Sequence, residues 1–510
     1  MTGRRSGSGA WSGSVTTGPT QRRARACRHA NEPSRGPHPR AGPAGRSRAQ
    51  GTLAGVRPGT DLPLRAVLPA VLAALDAAGT AVLVAPPGTG KTTLVPLALA
   101  GLLDAPDDGP PAGTSPVRVL VAEPRRLAAR AAARRMSDLV GDQVGGLVGF
   151  TVRGESRTSA RTRVEVVTTG LLVQRLLADP ELAAVGVVML DEVHERHLDT
   201  DLALAFCVDV RAALRPDLRL LATSATADAE RVAAALGRDG AAPGGPDDGP
   251  DDAPDDGLPA GAAPVVEADG VLFPVEPRWC PPPTGIAPPH GLRVDPRLLD
   301  HVASVVRRAL AEQAGDVLVF LPGAGEIGGL TGRLAGATDP GGAPLDVVPL
   351  HGRLRGDVQD AALRPTPGRR RVVLATAVAE SSVTVPGVRV VVDAGLARVP
   401  RTDLGRGLDA LVTVRVSRAG ATQRAGRAGR EAPGTVYRCW PQGEHERLAA
   451  QPEPEVATAD LTAFALRLAC WGAPRGRGLA LVDAPPAAAL DVAEATLHGL
   501  GALDGDGRAT

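Results

Sequence analysis

The sequence predicts an α/β protein with two tandem domains, each a doubly wound parallel sheet, followed by a small helical segment. Short apolar runs rich in Val, Leu and Ala alternate with Ala-, Leu- and Arg-rich stretches of helical periodicity. Such runs are typical of parallel strands that are buried on both faces. The runs fall into two series separated by a Pro/Gly/Asp tract, and 510 residues are enough for more than one core.

The first series lies in residues 59–237, which we predict to be the first domain. A basic leader precedes it at residues 1–58, rich in Arg, Ser, Gly and Pro and without apolar periodicity, so we predict that the leader is disordered. Ordered structure is expected to begin near Leu62, with a helix that ends at about Ala78. The strands predicted after it lie at 81–85, 118–122, 163–168, 185–190 and 219–223, with a helix at 127–140 between them.

The second series lies in residues 265–452, the predicted second domain. It follows a solvated insertion at residues 238–264, whose Pro, Gly and Asp content cannot form a core. Residues 398–416 alternate polar and apolar side chains around a Gly-Arg-Gly turn, which predicts a β-hairpin. The segment 453–510 is expected to be helical and to be the start of an incomplete domain. The predicted strands lie at 316–321, 345–349, 371–375, 388–393 and 434–439, and the predicted C-terminal helices at 460–471 and 487–500.

Composition limits the classes of function. The formal net charge is +1, so any basic binding surface must be local. The five cysteines lie far apart, without the paired spacing of metal or disulfide ligands, which indicates small core residues in a reducing compartment. No apolar run approaches the roughly 20 residues that a membrane helix needs, and the N-terminus lacks the apolar core of a secretion signal. We therefore expect a cytoplasmic protein.

The first predicted strand runs into a segment with the pattern of a phosphate-binding loop, APPGTGKTT at residues 85–93. Glycines let backbone N–H groups point toward phosphate oxygens, and the helix that follows adds its positive end. Lys91 is the only lysine among the 57 Lys and Arg residues. A compact ammonium fits a phosphate cradle better than the wide guanidinium fork, which explains why this position remains lysine. The residues expected to bind nucleotide are Gly88, Thr89, Gly90, Lys91, Thr92 and Thr93.

Two acids follow the strand predicted at residues 185–190. Side chains at the carboxyl end of a buried parallel strand lie where open α/β sheets bind their ligands. We therefore predict that Asp191 and Thr92 hold Mg²⁺, and that Glu192 polarises a water for in-line displacement on a γ-phosphate. The alternative is a solvated acidic turn, which the phosphate-binding loop upstream makes a poorer interpretation.

The segment DEVH at residues 191–194, after such a loop, resembles motif II of the DEAH-box helicases of superfamily 2. Further segments resemble the family's motifs in order, over roughly residues 60–505. They are EPRRLAAR at 123–130 (motif Ia), TTG at 168–170 (Ib), SAT at 224–226 (III), FLPGAGEI at 320–327 (IV), TAVAESSVT at 376–384 (V) and QRAGRAGR at 423–430 (VI). Within the family, EPRRLAAR and DEVHER resemble the bacterial HrpB type most closely.

The resemblance implies two RecA-like domains, a winged-helix-like start of the C-terminal region, and a motor that uses ATP and Mg²⁺. It also implies that Arg427 and Arg430 are arginine fingers and that Gln423 helps to place the attacking water. Read from the residues alone, three arginines at spacing three, Arg424 being the first, suit an approach to a γ-phosphate across a cleft. The alternative is a solvated basic helix start.

The resemblance further implies which residues contact nucleic acid and the nucleobase. Contacts to the nucleic-acid backbone are expected from Arg125, Arg126, Thr169, Gly170 and Thr376; a merely solvated basic turn is the alternative for the two arginines. The walls of the nucleobase site are expected to be Arg135 and Leu363, which cannot read base identity, so other NTPs should be accepted beside ATP. Coupling of hydrolysis to movement is expected from His194, Ser224 and Thr226. Ala377 and Pro386 stand where the family has Asn and Asp, so no ribose contact is carried over.

The expected function is therefore that of a monomeric ATP-dependent helicase that moves along nucleic acid and parts duplexes. The resemblance favours RNA over DNA as the substrate, although no residue reads a 2′-hydroxyl. Two alternatives stay open at this point: a nucleic-acid-stimulated NTPase that remodels ribonucleoprotein without unwinding, and a scaffold that binds nucleotide without turning it over. Glu192, Arg427 and Arg430 argue against the scaffold, because a static binder needs neither a base nor arginine fingers.

Overall fold

The computed structural model describes residues 62–103, 117–225, 229–238, 261–270, 273–380, 384–403 and 408–510. The predicted leader, most of the predicted insertion, Thr226 and the turn of the predicted hairpin lie outside these ranges.

The first domain is a sheet in the order β4-β3-β5-β2-β6-β7-β1-β8, parallel except for the β3–β4 pair. Its strands are nearly all Val, Leu and Ala, and β2 and β6 are buried at every position. The strands are β1 (Thr80–Val84), β2 (Val119–Glu123), β3 (Val148–Val152), β4 (Glu155–Arg157), β5 (Val164–Thr168), β6 (Val187–Leu190), β7 (Arg219–Ser224) and β8 (Val265–Glu267). The helices are α1 (Leu68–Ala78), α2 (Lys91–Leu99), α3 (Arg126–Val140), α4 (Thr169–Ala178), α5 (Leu198–Ala213) and α6 (Glu230–Leu236).

The second domain is a parallel sheet in the order β11-β12-β10-β13-β16-β9. An antiparallel hairpin, β14 with β15, extends from it, which confirms the prediction for this segment. The strands are β9 (Val275–Trp279), β10 (Asp316–Phe320), β11 (Asp346–Leu350), β12 (Arg371–Ala375), β13 (Val388–Asp393), β14 (Leu396–Asp403), β15 (Leu408–Arg415) and β16 (Gly434–Arg438). The helices are α7 (Pro296–Glu312), α8 (Ala324–Arg333), α9 (Gly356–Ala362), α10 (Arg418–Gly426) and α11 (Gln442–His445).

Both sheets confirm the predicted fold class. One boundary needs correction: Val265–Glu267, which the sequence pattern placed at the start of the second domain, pairs in parallel with β1 at the edge of the first sheet. The reason is that β8 places two apolar residues along β1, which would otherwise be an uncovered edge strand. A pattern in the local sequence does not reveal such a long-range contact. The second sheet begins at β9, and neither β9 nor the helix α7 was predicted.

The C-terminal segment contains α12 (Glu455–Thr458), α13 (Thr462–Trp471) and α14 (Ala487–Gly499). Although it follows the second domain in sequence, its apolar residues join the core of the first domain around α4 and α5. The ring of Trp471 stacks on Phe206 with 4.1 Å between centroids, and its indole N–H donates to Asp209 at 2.8 Å. Arg467 on α13 also forms an ion pair with Asp199 on α5.

The described residues include no helix that is both long enough and apolar enough to cross a membrane.

Candidate active site between the two sheets

The phosphate-binding loop connects β1 to α2, as its sequence predicts. Gly88 and Gly90 have φ angles of +92° and +108°, a region that other residues rarely adopt. A Cβ at Gly90 would also lie 3.0 Å from the Leu62 side chain. The loop therefore depends on its glycines to turn the backbone N–H groups inward. Lys91 is the first residue of α2 and is 3% exposed.

Lys91 points across the carboxyl edge of the sheet toward two neighbouring strands. Its Nζ donates to the carbonyl oxygen of Ser224, the last residue of β7, at 3.3 Å. The same atom lies 3.6 Å from Glu192 Oε2. This contact joins the phosphate loop to the segment that resembles motif III, where Ser224 was expected to act. The expected partner Thr226 lies outside the described residues.

Asp191 lies at the end of β6, where three groups hold its carboxylate. Thr92 Oγ1 donates to Oδ2 at 2.5 Å, and the Thr223 hydroxyl and the backbone N–H of Glu192 donate to Oδ1, the latter at 3.0 Å. Hydroxyl and carboxylate oxygens are the ligands that Mg²⁺ prefers, and Mg²⁺ takes only one or two of them from protein. No group of three or more His, Cys, Asp or Glu in the described residues could hold a metal alone. Thr92 and Asp191 therefore fit Mg²⁺ held mainly by phosphate and water.

Glu192 has a buried carboxylate and an uncommon backbone conformation. It is 3% exposed and has a left-handed backbone at φ +54°, an uncommon conformation for a residue with a Cβ. No donor among the described residues hydrogen-bonds its Oε2. A buried carboxylate oxygen that points into a cleft without a donor can accept a proton from a water.

Glu123 at the end of β2 is a buried acid that the sequence reasoning quoted only as part of a motif. It is fully buried, and neither carboxylate oxygen has a hydrogen-bond partner in the described part of the chain. Burial first, and then the charge of Asp191, raise the pKa of Glu123 well above its usual range. Burial and the neighbouring Asp191 therefore both favour the protonated form of Glu123. The signal in the sequence that could have identified Glu123 as a site residue is its position at the end of a predicted strand.

The second domain supplies arginines from the opposite side of the cleft. Arg430 lies over the phosphate loop, because a Cβ at Gly88 would be 3.7 Å from its Nε. Arg427 is buried, and its guanidinium donates to the backbone carbonyl of Glu380, at 2.9 Å from Nε. Burial lowers the pKa of Arg430 to about 10, and the charge of Glu192 acts in the opposite direction on both arginines. The negative charge of Glu192 in the first domain therefore acts on both Arg427 and Arg430 of the second domain.

Arg424, the first of the three arginines, has a different environment. Its Nε donates to Glu380 and its Nη1 to Asp393, both at 2.9 Å, and its guanidinium lies 5.2 Å from the Phe320 ring centroid. It is 2% exposed. Arg424 therefore ties α10 to β10 and β13 within the second domain.

His194 and Gln423 join the domains beside the arginines. His194 Nε2 lies 2.6 Å from the side-chain amide of Gln423, and His194 Nδ1 accepts from the backbone N–H of Ala225 at 3.1 Å. Burial lowers the pKa of His194, so the ring is neutral. Since Nδ1 accepts, the neutral ring carries its proton on Nε2. The atom nearest to Nε2 is Gln423 Nε2, so the ring donates to Gln423 when the amide is turned to place its oxygen at that position.

The residues expected to contact nucleic acid lie at strand ends on the same side of the sheets. Arg125 precedes α3 and its Nη2 binds Glu195 Oε2 at 2.9 Å, whereas the neighbouring Arg126 is exposed. Thr169 begins α4 and is buried, and a Cβ at Gly170 would lie 2.5 Å from an Asp199 oxygen. Thr376 follows β12 and is half-buried.

A cavity of about 570 Å³ is lined by Arg125 and by Ala377, the residue after Thr376. We call it the inter-domain cavity. Its walls come from the first domain, the base of the hairpin and the connector at residues 444–458, and they include Arg125, Glu195, His197, Arg398 and Glu455.

The helices expected to flank the nucleobase face each other across the domains. Arg130 Nη2 on α3 donates to Gln359 Oε1 on α9 at 3.0 Å, and Arg134 pairs with Asp360. Arg135 is exposed on α3. Leu363 caps the end of α9 and is half-buried.

Comparison with known proteins adds two family models. The DEAD/DEAH box helicase model matches residues 65–235, and the helicase conserved C-terminal domain matches residues 299–432. Each match covers most of the strands of one sheet, and together they include the phosphate loop, Asp191, Glu192, Arg427 and Arg430.

Several known proteins are similar along most of this chain. It is 40% identical over 448 residues to the ATP-dependent RNA helicase HrpB of Escherichia coli (strain K12), which is 88% of this chain and 50% of that protein. It is 32% identical over 451 residues to the probable ATP-dependent RNA helicase DHR2 of Saccharomyces cerevisiae, 86% of this chain and 55% of that one. The chain thus spans about half the length of the curated relatives it matches.

A solved structure agrees with this similarity. The crystal structure of Escherichia coli DEAH/RHA helicase HrpB matches with a TM-score of 0.75 and 39% identity, covering 88% of this chain and 52% of that chain. Fold, site geometry and sequence similarity therefore agree. The chain belongs to the DEAD/DEAH-box helicase family.

Proposed function

We propose that this chain is the NTP-hydrolysing motor of an ATP-dependent RNA helicase. The observation that carries the proposal is the arrangement of Arg427 and Arg430 from one sheet, opposite Glu192 and the phosphate loop of the other. A γ-phosphate held by Lys91 would meet these arginines only when the domains are closed. Hydrolysis is therefore tied to a domain movement, which is what a motor needs.

The residues divide the chemistry among themselves. The loop N–H groups and Lys91 would hold the β- and γ-phosphates, and Thr92 and Asp191 would hold Mg²⁺. When bound, Mg²⁺ neutralises charge on the phosphate oxygens. Glu192 would accept a proton from the attacking water. Arg427 and Arg430 would then stabilise the charge that develops on the transferred group.

RNA is the proposed substrate because the two curated proteins compared above are named as RNA helicases. Arg125, Arg126, Thr169, Gly170 and Thr376 are proposed to hold the phosphates of a single strand. Such contacts carry no sequence information, so binding should be independent of sequence and should weaken as salt increases. We propose that ATP and other NTPs drive the motor, since neither Arg135 nor Leu363 can read the base.

The direct test is phosphate release by the purified chain with and without single-stranded RNA, repeated with single-stranded DNA. RNA-stimulated release that Arg430→Ala reduces at least a hundredfold supports the proposal. The matched control is Arg308→Ala, which removes an exposed arginine on α7 that pairs with Glu312. Release that neither nucleic acid stimulates would refute the motor, and no release at all would favour the static scaffold.

Duplex unwinding separates the helicase from an NTPase that only remodels ribonucleoprotein. A labelled RNA duplex with a single-stranded overhang is separated by a helicase when ATP is present. Stimulated hydrolysis without strand separation, under the same conditions, would support the remodelling alternative.

A further inference from the structure

The carboxylate of Glu195 lies between two cations at the wall of the inter-domain cavity. Arg125 Nη2 binds its Oε2 at 2.9 Å, and His197 Nε2 lies 2.8 Å from the same oxygen. The side chain of Glu195 is 9% exposed and that of Arg125 is 22% exposed. One carboxylate oxygen is thus shared by an arginine that reaches solvent and a histidine behind it.

His197 is held from its other side by Glu455 of the connector. His197 Nδ1 lies 2.8 Å from Glu455 Oε1, while Glu455 Oε2 accepts the N–H of Leu198 at 2.9 Å. An imidazole between two carboxylates donates to both only when both nitrogens are protonated. Burial alone would lower the pKa of His197, but the hydrogen bonds to Glu195 and Glu455 raise it to about 10. His197 is therefore an imidazolium near pH 7.

The four side chains form a neutral set of two cations and two carboxylates. Removing one partner of such a partly buried set leaves a charge without compensation, which is unfavourable. Exchange of one anion for another at the same cation avoids that cost, provided that the displaced carboxylate keeps a cation of its own. His197 is that second cation for Glu195.

We propose that Glu195 occupies, at Arg125, the position that a nucleic-acid phosphate takes, and that His197 retains the Glu195 carboxylate when the phosphate displaces it. This inference rests on the proposed function, because it assumes that Arg125 contacts the nucleic-acid backbone. Glu195 and His197 are then positioning residues that set the affinity for nucleic acid. They act in opposite directions: Glu195 competes with the phosphate, and His197 reduces that competition.

The test measures binding of a labelled single-stranded RNA by fluorescence anisotropy, without nucleotide, at several salt concentrations. Glu195→Gln should bind about tenfold more tightly than the wild type, since the competing charge is gone. His197→Gln should bind about tenfold more weakly, because Glu195 then holds Arg125 alone. The control is Glu453→Gln. Glu453 carries the same charge and lines the same cavity, but it pairs with Arg401 instead of Arg125. It should change affinity less than twofold.

The double variant, Glu195→Gln with His197→Gln, separates exchange from simple charge effects. In the exchange mechanism His197 acts only through Glu195, so the double variant binds as tightly as Glu195→Gln alone. If the two effects multiply and cancel to near wild-type affinity, or if Glu195→Gln binds no more tightly than Glu453→Gln, the inference is wrong. His197→Gln tests it independently, should Glu195→Gln fail to fold, because unchanged or tighter binding by that variant also overturns it.

The proposed function fails in a different way. If the wild-type chain binds neither RNA nor single-stranded DNA at low salt, the nucleic-acid role of Arg125 is wrong. If the wild type binds and the variants do not separate as described, only the exchange at Glu195 is wrong.

Discussion

His194 of the first domain and Gln423 of the second are joined by a hydrogen bond across the cleft, with 2.6 Å between the imidazole Nε2 and the side-chain amide. The other ring nitrogen accepts from the backbone of Ala225, directly after β7. The neutral imidazole therefore connects the end of β7 to α10, the helix that precedes Arg427 and Arg430. A change at either partner should loosen the closed arrangement of the two domains.

A double-mutant cycle tests this link. His194→Ala and Gln423→Ala should each lower stimulated hydrolysis, by about tenfold or more, because the domains close less often in register. The double variant should be no slower than the slower single variant, since each single variant already removes the hydrogen bond between His194 and Gln423. Rates are compared at saturating ATP and RNA. Losses that multiply in the double variant would show that the residues act separately.

Replacing Glu192 with Gln should preserve nucleotide binding and reduce hydrolysis by about two to four orders of magnitude. The reason is that Oε2 is a buried acceptor to which no donor of the described residues hydrogen-bonds, and it lies 3.6 Å from Lys91 Nζ. Single-turnover phosphate release gives the rate, and a fluorescent nucleotide gives the affinity. Glu494→Gln, an acid on α14 that pairs with Arg475, is the control. Turnover by Glu192→Gln within threefold of wild type would contradict the assignment.

Arginine at position 91 should be nearly as inactive as alanine. Lys91 is 3% exposed, and its ammonium lies 3.3 Å from the Ser224 carbonyl oxygen and 3.6 Å from Glu192 Oε2. A planar guanidinium is wider than an ammonium, so we expect that it does not fit at this buried position. Lys91→Arg and Lys91→Ala are compared by steady-state hydrolysis. Arg308→Lys on the surface, the reverse exchange, should have no effect. Near wild-type turnover of Lys91→Arg would mean that the fit of an ammonium to the phosphate site does not explain why residue 91 is a lysine.

The motor should hydrolyse GTP, CTP and UTP with kcat/KM within about tenfold of ATP, which is about 1.4 kcal/mol of discrimination or less. An arginine plane and a leucine side chain contact any base, and reading its identity needs paired hydrogen bonds. Leu363→Phe should increase kcat/KM for all four nucleotides by a similar factor, up to about tenfold, because the phenyl ring can stack on any base. A hundredfold preference for ATP would reveal an adenine-reading contact elsewhere.

Trp471→Ala should destabilise the first domain, although residue 471 follows the second in sequence. Loss of the stacked indole and its bond to Asp209 is expected to cost about 3 kcal/mol. Hydrogen exchange should become faster in α4, α5 and α13 and stay unchanged in α7. Leu500→Ala, at a side chain that is 74% exposed, is the control. Faster exchange in α7 instead would mean that the segment supports the second domain.

The sequence alone determined the local chemistry and most of the strands. Buried parallel strands such as β2 and β12 are continuous apolar runs, and their ends agree with prediction to within a residue or two. The phosphate loop and the acids at 191 and 192 follow such strands directly. Parallel topology then brings their side chains to one edge, so spacing was sufficient to predict them.

Only the tertiary structure decided how these pieces face one another. Equal spacing does not distinguish Arg424 from Arg427 and Arg430, but the carboxylates of Glu380 and Asp393 hold the first inside the second domain. Likewise, β8 and the C-terminal helices join the first domain because its edge strand and apolar face were open, a long-range contact that no local pattern records. The pairing of Arg125 with Glu195 is of the same kind. Ion pairs form between side chains that are close together in the folded protein. Separation along the sequence does not show which side chains will be close.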